Sequence, residues 1–197
     1  MYEYFQGRLA NLEPTQAMID CGGVGYLLEI SINTYEALQK ADASSVKLYA
    51  HHVVREDAHQ LFGFYDMAER EVFRLLISVN GVGNQTARMI LSTLTVEELR
   101  SAISAQDVKK VQRAKGIGAK TAQRIVMELA DKMGTGNHPA ATGSRNTQAR
   151  DEAMSALLML GFAKPAVEKL LTSSDWVAAD GSPMSVEEII KVGLQKL

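Results

Sequence analysis

The chain has a single cysteine, a single tryptophan and no long run of apolar residues among its 197 residues. With only Cys21 present, an internal disulfide and a zinc site built from several thiolates are both excluded. No apolar stretch approaches the ~18 residues that a membrane-spanning helix requires. The first five residues, Met1 to Phe5, contain neither a basic region nor an apolar signal core. We therefore expect a cytoplasmic protein that has no membrane partner.

Signatures of bound cofactors are also scarce. The run Gly22-Gly23-Val24-Gly25 lacks the Gly-x-Gly-x-x-Gly spacing of a dinucleotide-binding loop, and a hairpin turn is the simpler interpretation. No Gly-x-x-x-x-Gly-Lys-Ser/Thr segment occurs, so we expect no ATP site. The adjacent histidines His51 and His52 lie in a predicted strand, where their side chains face opposite sides and do not easily chelate one metal ion. We predict no metal, no other cofactor and no catalytic residue.

Charge is distributed unevenly along a chain whose net charge is only −2. Residues 64–134 contain eleven Lys/Arg against eight Asp/Glu, whereas residues 1–63 contain four against eight. Six of the basic residues lie between Lys109 and Arg124, a stretch without any acidic residue. A local basic patch steers a polyanion more than the net charge does. The middle of the chain is therefore the candidate for binding nucleic acid.

Two near-copies of one short motif lie just before and within this basic stretch. The first glycine turn is Asn80-Gly81-Val82-Gly83 and the second glycine turn is Lys115-Gly116-Ile117-Gly118, each followed by a helical pattern. Such a repeat indicates one small supersecondary unit used twice. A Gly-apolar-Gly turn at a helix start exposes backbone N–H groups at the positive end of the helix dipole, where anions bind. The pattern is typical of tandem helix-hairpin-helix motifs, which grip duplex phosphates without reading bases.

The residues that we predict to bind DNA belong to these two turns and to the helices that follow them. They are Asn80, Gly81, Val82, Gly83 and Gln85 in the first copy, and Lys115, Gly116, Ile117, Gly118, Lys120, Thr121 and Arg124 in the second. Arg55 and Arg88 are further candidates.

Four segments are predicted along the chain, which gives a multidomain α+β protein. Residues 1–64 hold five short strand patterns with a helix, Thr34 to Lys40, after the third, which is typical of an OB-type β-barrel. Residues 65–134 take the helical period and form an all-α domain that contains both glycine turns and a capping box, Thr95-Val96-Glu97-Glu98, at the start of one helix. Residues 135–146 contain almost no large apolar side chain and are predicted to be a flexible linker. Residues 147–197 are predicted to form a three-helix, UBA-like domain, whose first helix runs from Ala149 to Leu160 and is ended by Gly161.

The order of these segments and the motifs within them resemble a known family. The resemblance rests on Val53-Val54-Arg55-Glu56-Asp57-Ala58, on Leu61-Phe62-Gly63-Phe64, on the two glycine turns, and on Leu160-Gly161-Phe162 in the tail. Together they are similar to the RuvA family of bacterial Holliday-junction-binding proteins, over essentially the whole chain. Two departures lower the positive charge: Asn84-Gln85 stands where relatives tend to carry Pro-Lys, and Ala119 stands where a second Lys is common.

The resemblance implies a non-catalytic protein that binds four-way (Holliday) DNA junctions in recombination and repair. Glu56 and Asp57 would form an acidic pin that repels DNA backbones at the junction centre and guides strand separation. Residues 147–197 would recruit a RuvB-type hexameric ATPase, with Leu157, Leu160 and Phe162 as candidates either for the motor-binding surface or for the core of the tail. The resemblance also implies a homotetramer, used singly or in pairs, and a RuvC-type junction resolvase as a further partner.

Two other functions stay open at this point. A helix-hairpin-helix repair enzyme, either a glycosylase or a structure-specific nuclease, would need a catalytic Lys or Asp near a base-flipping pocket, or further carboxylates converging on Glu56 and Asp57 to hold a metal. A protein-interaction scaffold would leave the acid-free stretch from Lys109 to Arg124 unexplained. The sequence favours junction binding because that function uses the repeat, the basic stretch and the acidic turn together.

Overall fold

The computed structural model describes residues 2–134, 145–172, 176 and 184–196. The chain divides into two compact units, Met1–Gly136 and Asn137–Leu197. The first unit contains a five-stranded barrel and a helical region, and the described part of the second contains helices. The predicted α+β architecture is confirmed. The predicted linker, residues 135–146, lies outside the described residues apart from its last two positions.

The barrel is built from five strands, with one helix inserted after the third. The strands are β1 (Tyr4–Glu13), β2 (Gln16–Cys21), β3 (Val24–Ile30), β4 (Val46–Val54) and β5 (His59–Phe64), and α1 spans Ile32–Lys40. The order around the closed barrel is β1-β2-β3-β5-β4, in which β3 and β5 are parallel and the other neighbours antiparallel. Alternate residues fill the interior, including Leu28 and Ile30 of β3 and Leu48 and Ala50 of β4. This is the predicted OB-type arrangement.

The turn between β2 and β3 follows directly from its two glycines. Gly22 and Gly23 have φ angles of +66° and +94°, which residues with a Cβ rarely adopt. Two consecutive positive φ angles match the twist of the flanking antiparallel strands. The Gly23 N–H donates to Asp20 Oδ1 at 2.8 Å. The predicted hairpin turn is therefore confirmed, and its glycines have a structural role.

Five helices follow the barrel in the first unit. They are α2 (Met67–Ile77), α3 (Asn84–Thr93), α4 (Val96–Ser104), α5 (Val108–Gln112) and α6 (Ala119–Gly134). Their apolar core continues into the barrel, because the ring centroid of Phe73 in α2 lies 5.2 Å from Phe62 and 4.9 Å from Phe64 of β5. Strand β5 is therefore both a strand of the barrel and a part of the apolar core of the helical region.

A buried carboxylate makes a second link between the barrel and the helices. The hydroxyls of Ser31 and Thr34, at the start of α1, both donate to the side chain of Glu69 in α2, the latter at 2.6 Å. Burial raises the pKa of Glu69, and the two hydroxyl hydrogen bonds oppose part of that rise. The starts of α1 and α2 are held together through this one side chain.

The second unit contains α7 (Arg145–Met159), α8 (Lys164–Thr172) and α9 (Val186–Lys196). Helix α7 begins four residues before the predicted Ala149, because its polar first turn carries no apolar period. It ends as predicted at Gly161, whose φ is +97°. A Cβ on Gly193 of α9 would lie 3.0 Å from Leu157, so this glycine lets α9 approach α7 closely. None of the described helices is long and apolar enough to cross a membrane.

Candidate nucleic-acid interface

The two glycine turns are copies in three dimensions as well as in sequence. Val82 N–H donates to the carbonyl of Val79 at 3.0 Å, and Ile117 N–H donates to that of Ala114 at 3.3 Å. The next helices begin alike, since Ala87 N–H donates to Gly83 at 2.9 Å and Ala122 N–H donates to Gly118 at 3.0 Å. The repeated sequence therefore forms one hydrogen-bonded unit twice.

The apolar residue at the middle of each turn anchors that turn. Val82 is 6% exposed and Ile117 is 7% exposed, and both belong to the core of the helical region. Seven pairs of apolar residues at matching positions are all buried: Leu76 and Val111, Val79 and Ala114, Val82 and Ile117, Ala87 and Ala122, Ile90 and Ile125, Leu91 and Val126, and Leu94 and Leu129. The side chains of Val82 and Ile117 are thus buried, which leaves only their backbone for the predicted contact with DNA.

The glycines on either side of the apolar residue have different roles. Gly81 and Gly116 have φ angles of +90° and +87°, so a side chain there would strain the backbone. Gly83 and Gly118 lie outside that region, and a Cβ on either would meet no atom within 4 Å. Packing does not require glycine at these two positions. The missing side chains leave the starts of α3 and α6 bare.

Bare helix starts distinguish α3 and α6 from the other helices of the first unit. A side chain caps the N-terminus of α1 (Ser31), α2 (Asp66), α4 (Thr95) and α5 (Asp107). Thr95 and Glu98 form the predicted capping box. The N-cap of α3 is Gly83, which has no side chain to cap it, and α6 begins directly after Gly118. Free N–H groups and the positive end of the dipole are therefore available to an anion at these two helices.

Basic side chains concentrate around the second turn. Lys109, Arg113, Lys115 and Lys120 are exposed, and none of them forms an ion pair with another described residue. Lys110 lies 4.0 Å from Glu98. Thr121, in the first turn of α6, is half-buried. The unpaired lysines add positive charge beside the N-terminus of α6.

Arg124 has a partner within the protein. Its Nη1 donates to the backbone carbonyl of Asn80 at 3.0 Å, and its Nε lies 3.9 Å from Glu128. Arg124 of the second copy therefore holds the first glycine turn in place. A DNA contact by Arg124 stays a prediction, and the structure gives the residue a packing role in addition.

The first copy is joined to the barrel by polar side chains. Gln85 Nε2 donates to Glu29 Oε2 at 2.7 Å, and Arg88 Nη2 lies 3.6 Å from the same oxygen. The side chain of Arg88 is 20% exposed. Glu29 is absent from the sequence-based predictions, because nothing local connects a strand residue with a helix that begins more than fifty residues later.

The acidic turn lies at an exposed hairpin tip. We call residues 55–58, which join β4 and β5, the acidic hairpin. Arg55 N–H donates to the Ala58 carbonyl at 2.9 Å and closes the turn. Glu56 and Asp57 at the tip are exposed, and neither forms an ion pair with a described residue. Their two negative charges therefore face solvent.

Comparison with known proteins covers every part of this architecture. The RuvA N-terminal domain model matches residues 1–63, a SAM-like helix-hairpin-helix tandem matches residues 73–131, and the RuvA C-terminal domain matches residues 148–197. The Holliday junction branch migration complex subunit RuvA of Bacteroides fragilis is 44% identical to the chain, and that of Parabacteroides distasonis is 45% identical, each over 100% of both sequences. The chain belongs to the RuvA family. The predicted resemblance is confirmed.

In the second unit, the three tail residues left open between the core and the motor-binding surface differ in burial. Leu157 is fully buried and packs against Val167 and Ile189 in the core. Leu160 is 60% exposed, and Phe162 is partly buried against that core. Leu157 is therefore a core residue of the RuvA C-terminal domain and has no surface for a partner. Leu160 is exposed beside the exposed Met159, and a partner contact by Leu160 stays a prediction.

Proposed function

We propose that this RuvA-family chain binds four-way DNA junctions and works with an ATP-driven motor in branch migration during recombination and repair. The observation that carries the proposal is the pair of uncapped helix starts at Gly83 and Gly118, with exposed lysines beside the second. Each start presents backbone N–H groups and dipole charge to a phosphate oxygen. Two such sites grip a duplex through its backbone and read no sequence.

The acidic hairpin would convert duplex binding into recognition of a crossing. Two exposed carboxylates without ion-pair partners, Glu56 and Asp57, repel phosphates and weaken binding to any DNA that approaches them. Such a feature is useful where backbones must be kept apart, as at the centre of a junction. It supplies electrostatic guidance, and no bond is broken, so the chain is a non-catalytic subunit.

The tail would bring the motor to the junction. The relatives are named as subunits of a branch migration complex. The exposed apolar side chains of Met159 and Leu160, at the end of α7, suit a protein contact. A RuvB-type hexameric ATPase is the partner that we assign to this surface, with a RuvC-type resolvase as a further partner of the complex.

The working assembly would be a cytoplasmic homotetramer, alone or as a pair. Domain bounds of 1–64 for the barrel, 65–134 for the helix-hairpin-helix region and 147–197 for the tail, joined by a linker, 135–146, belong to the same proposal. The repair-enzyme alternative gains no support from the matched families, which name a branch migration subunit and its domains. No described feature favours a scaffold without DNA.

A direct test compares a four-way junction with a linear duplex of equal length in a gel-shift assay, with the size of the protein measured in parallel. We expect tighter binding to the junction and a size above that of a monomer. Binding should weaken steeply with added salt, because neutralised phosphates release counterions. A monomer that prefers neither DNA would contradict the proposal.

The site itself is tested at Lys120, which is exposed in the first turn of α6. Lys120→Gln removes one phosphate-seeking charge and should lower the slope of log affinity against log salt by about one. Lys40→Gln, at the end of α1 and outside the basic stretch, is the matched control and should leave the slope unchanged. Equal slopes for the two variants would place the phosphate contact elsewhere.

A further inference from the structure

Polar contacts connect the strand after the acidic hairpin with the helix after the first glycine turn through one carboxylate, Glu29 of β3. Gln60, in the strand that leaves the acidic hairpin, donates to Glu29 Oε1 at 3.2 Å. Gln85, in the first turn of α3, donates to Glu29 Oε2 at 2.7 Å. Each oxygen of this carboxylate therefore accepts from a different element, Oε1 from β5 and Oε2 from α3.

Arg88 completes the contact on the side of α3. Its Nη2 donates to Gln85 Oε1 at 2.8 Å and lies 3.6 Å from Glu29 Oε2. Its Nη1 donates to the backbone carbonyls of Thr15 at 3.1 Å and Ile30 at 3.4 Å. One guanidinium thus binds the end of β3, the residue just before β2 and the helix that follows the first glycine turn.

The contact between Glu29 and Arg88 is largely shielded from solvent. The side chains of Glu29 and Arg88 are 21% and 20% exposed, whereas those of the barrel pair Arg8 and Asp20 are 62% and 27% exposed. Solvent screens an exposed pair strongly and a half-buried, networked pair less. The Glu29 network is therefore better placed to hold two elements in a fixed relation than an isolated surface ion pair.

We infer that Glu29 is a positioning residue, which holds the acidic hairpin and the first glycine turn in one relative orientation and thereby sets the preference for four-way junctions. This inference rests on the proposed function. A junction requires phosphates to be gripped at a set distance from the repelling carboxylates, whereas a linear duplex requires the grip alone. Loosening the link lowers the preference for the junction and spares binding to the duplex.

Linking the first copy to the barrel removes little side-chain charge from DNA binding in this chain. Asn84 and Gln85 carry no charge, and the only basic side chain early in α3, Arg88, is turned toward the barrel. The second copy keeps unpaired lysines. The two turns therefore differ: the second supplies side-chain charge, and the first supplies backbone N–H groups at a position that the barrel fixes.

The test uses the full chain and three single variants. Glu29→Gln removes the charge at nearly constant shape, and Arg88→Met removes the guanidinium while keeping the apolar stem. Arg8→Met is the matched control, because it removes the 2.9 Å ion pair with Asp20 and the same positive charge without touching α3. Dissociation constants are measured for a four-way junction and for a linear duplex of equal length, with thermal unfolding recorded for each variant.

We expect Glu29→Gln and Arg88→Met each to lower the junction-to-duplex preference by about tenfold, as for residues coupled within one network. The duplex affinity of Glu29→Gln should stay within about twofold of wild type, and Arg8→Met should keep the wild-type preference. Amide exchange gives a readout without DNA: the Arg55 N–H, bonded to the Ala58 carbonyl, should exchange faster in Glu29→Gln than in Arg8→Met.

The outcomes separate the inference from the proposed function. A wild-type chain without preference for the junction contradicts the proposed function. A wild-type preference that both folded variants retain contradicts the role of Glu29 alone. Equal tightening on both DNAs by Glu29→Gln also overturns the inference, because it reports only the loss of a negative charge. If Glu29→Gln fails to fold, Gln60→Leu, which removes the contact with Glu29 Oε1 and lies outside the predicted DNA-binding residues, decides the question by the same ratio.

Discussion

Replacing Gly83 with serine should move stability and DNA binding in opposite directions. Gly83 is the N-cap of α3, with φ −87° and ψ 171°, which is the extended conformation that serine adopts at helix starts. A Cβ there would meet no atom within 4 Å. The new hydroxyl can accept an N–H of the first turn, as Thr95 does from Glu98 at 3.2 Å in α4. Stability should rise by a few tenths of a kcal/mol, about the difference between serine and glycine caps.

Binding should fall for the same reason. The N–H group that the serine hydroxyl accepts is no longer free for a phosphate, and the added atoms stand where the phosphate would approach. A hydrogen bond to a charged group contributes about 1.5–3 kcal/mol, so losing one weakens junction binding by about ten- to a hundredfold. This expectation depends on the bare start of α3 and on no side-chain charge.

Two controls in the same turn separate the causes. Gly83→Ala adds a Cβ without a capping oxygen, so stability should fall by about 0.5–1 kcal/mol and binding should fall through crowding alone. Gly81→Ala places a side chain at φ +90° and should cost about 1–2 kcal/mol of stability. Thermal unfolding and junction titrations measure the two effects. A Gly83→Ser variant that is more stable and binds as tightly as wild type would refute the phosphate role of the first turn.

Further predictions concern the acidic hairpin, the tail and the buried carboxylate. Glu56→Gln with Asp57→Asn should keep or tighten junction binding and alter motor-driven branch migration, because repulsion is lost; weaker binding by the folded variant would count against a repelling pin. Leu157→Ala should destabilise the second unit by about 2–5 kcal/mol, whereas Leu160→Ser should leave its unfolding unchanged and reduce motor stimulation; normal stimulation would move the contact elsewhere. Because the folded pKa of Glu69 is raised, its favourable contribution is full below the unfolded pKa and is lost as pH rises through the folded pKa. Unfolding of wild type and Glu69→Gln across pH should therefore show wild type losing stability relative to the variant as pH rises; parallel curves would show that Glu69 does not titrate within the fold.

Local signals were sufficient for most of the fold. The Gly22-Gly23 turn and the Thr95 capping box were predicted from neighbouring residues and are confirmed, because their hydrogen bonds join residues only three apart in sequence. The start of α7 was predicted too late, since a polar first turn contains no apolar period to mark it. Short-range chemistry thus predicts turns and caps well and polar helix ends poorly.

For the candidate site, too, local features were predicted and contacts between distant residues were not. The repeat predicted both glycine turns and their bare helix starts, because turn geometry and capping are local. It did not predict that Arg124 would bind the Asn80 carbonyl or that Gln85 would bind Glu29, since these partners lie 44 and 56 residues apart in sequence. A list of polar residues in a motif therefore overstates how many are free to meet DNA.

Residue types at short spacing were enough to predict the barrel, the two repeated glycine turns, the acidic pair and the family. Which charges are available and which leucines are covered depended instead on contacts between distant parts of the chain. Arg88 and Lys120 are both basic residues early in a helix after a glycine turn, yet the first is bonded to the barrel and the second is exposed. Leu157 and Leu160 lie three residues apart, and packing of α9 buries only the first. Residue type alone does not separate these cases, because burial and ion pairing are set by whichever distant elements the fold brings into contact.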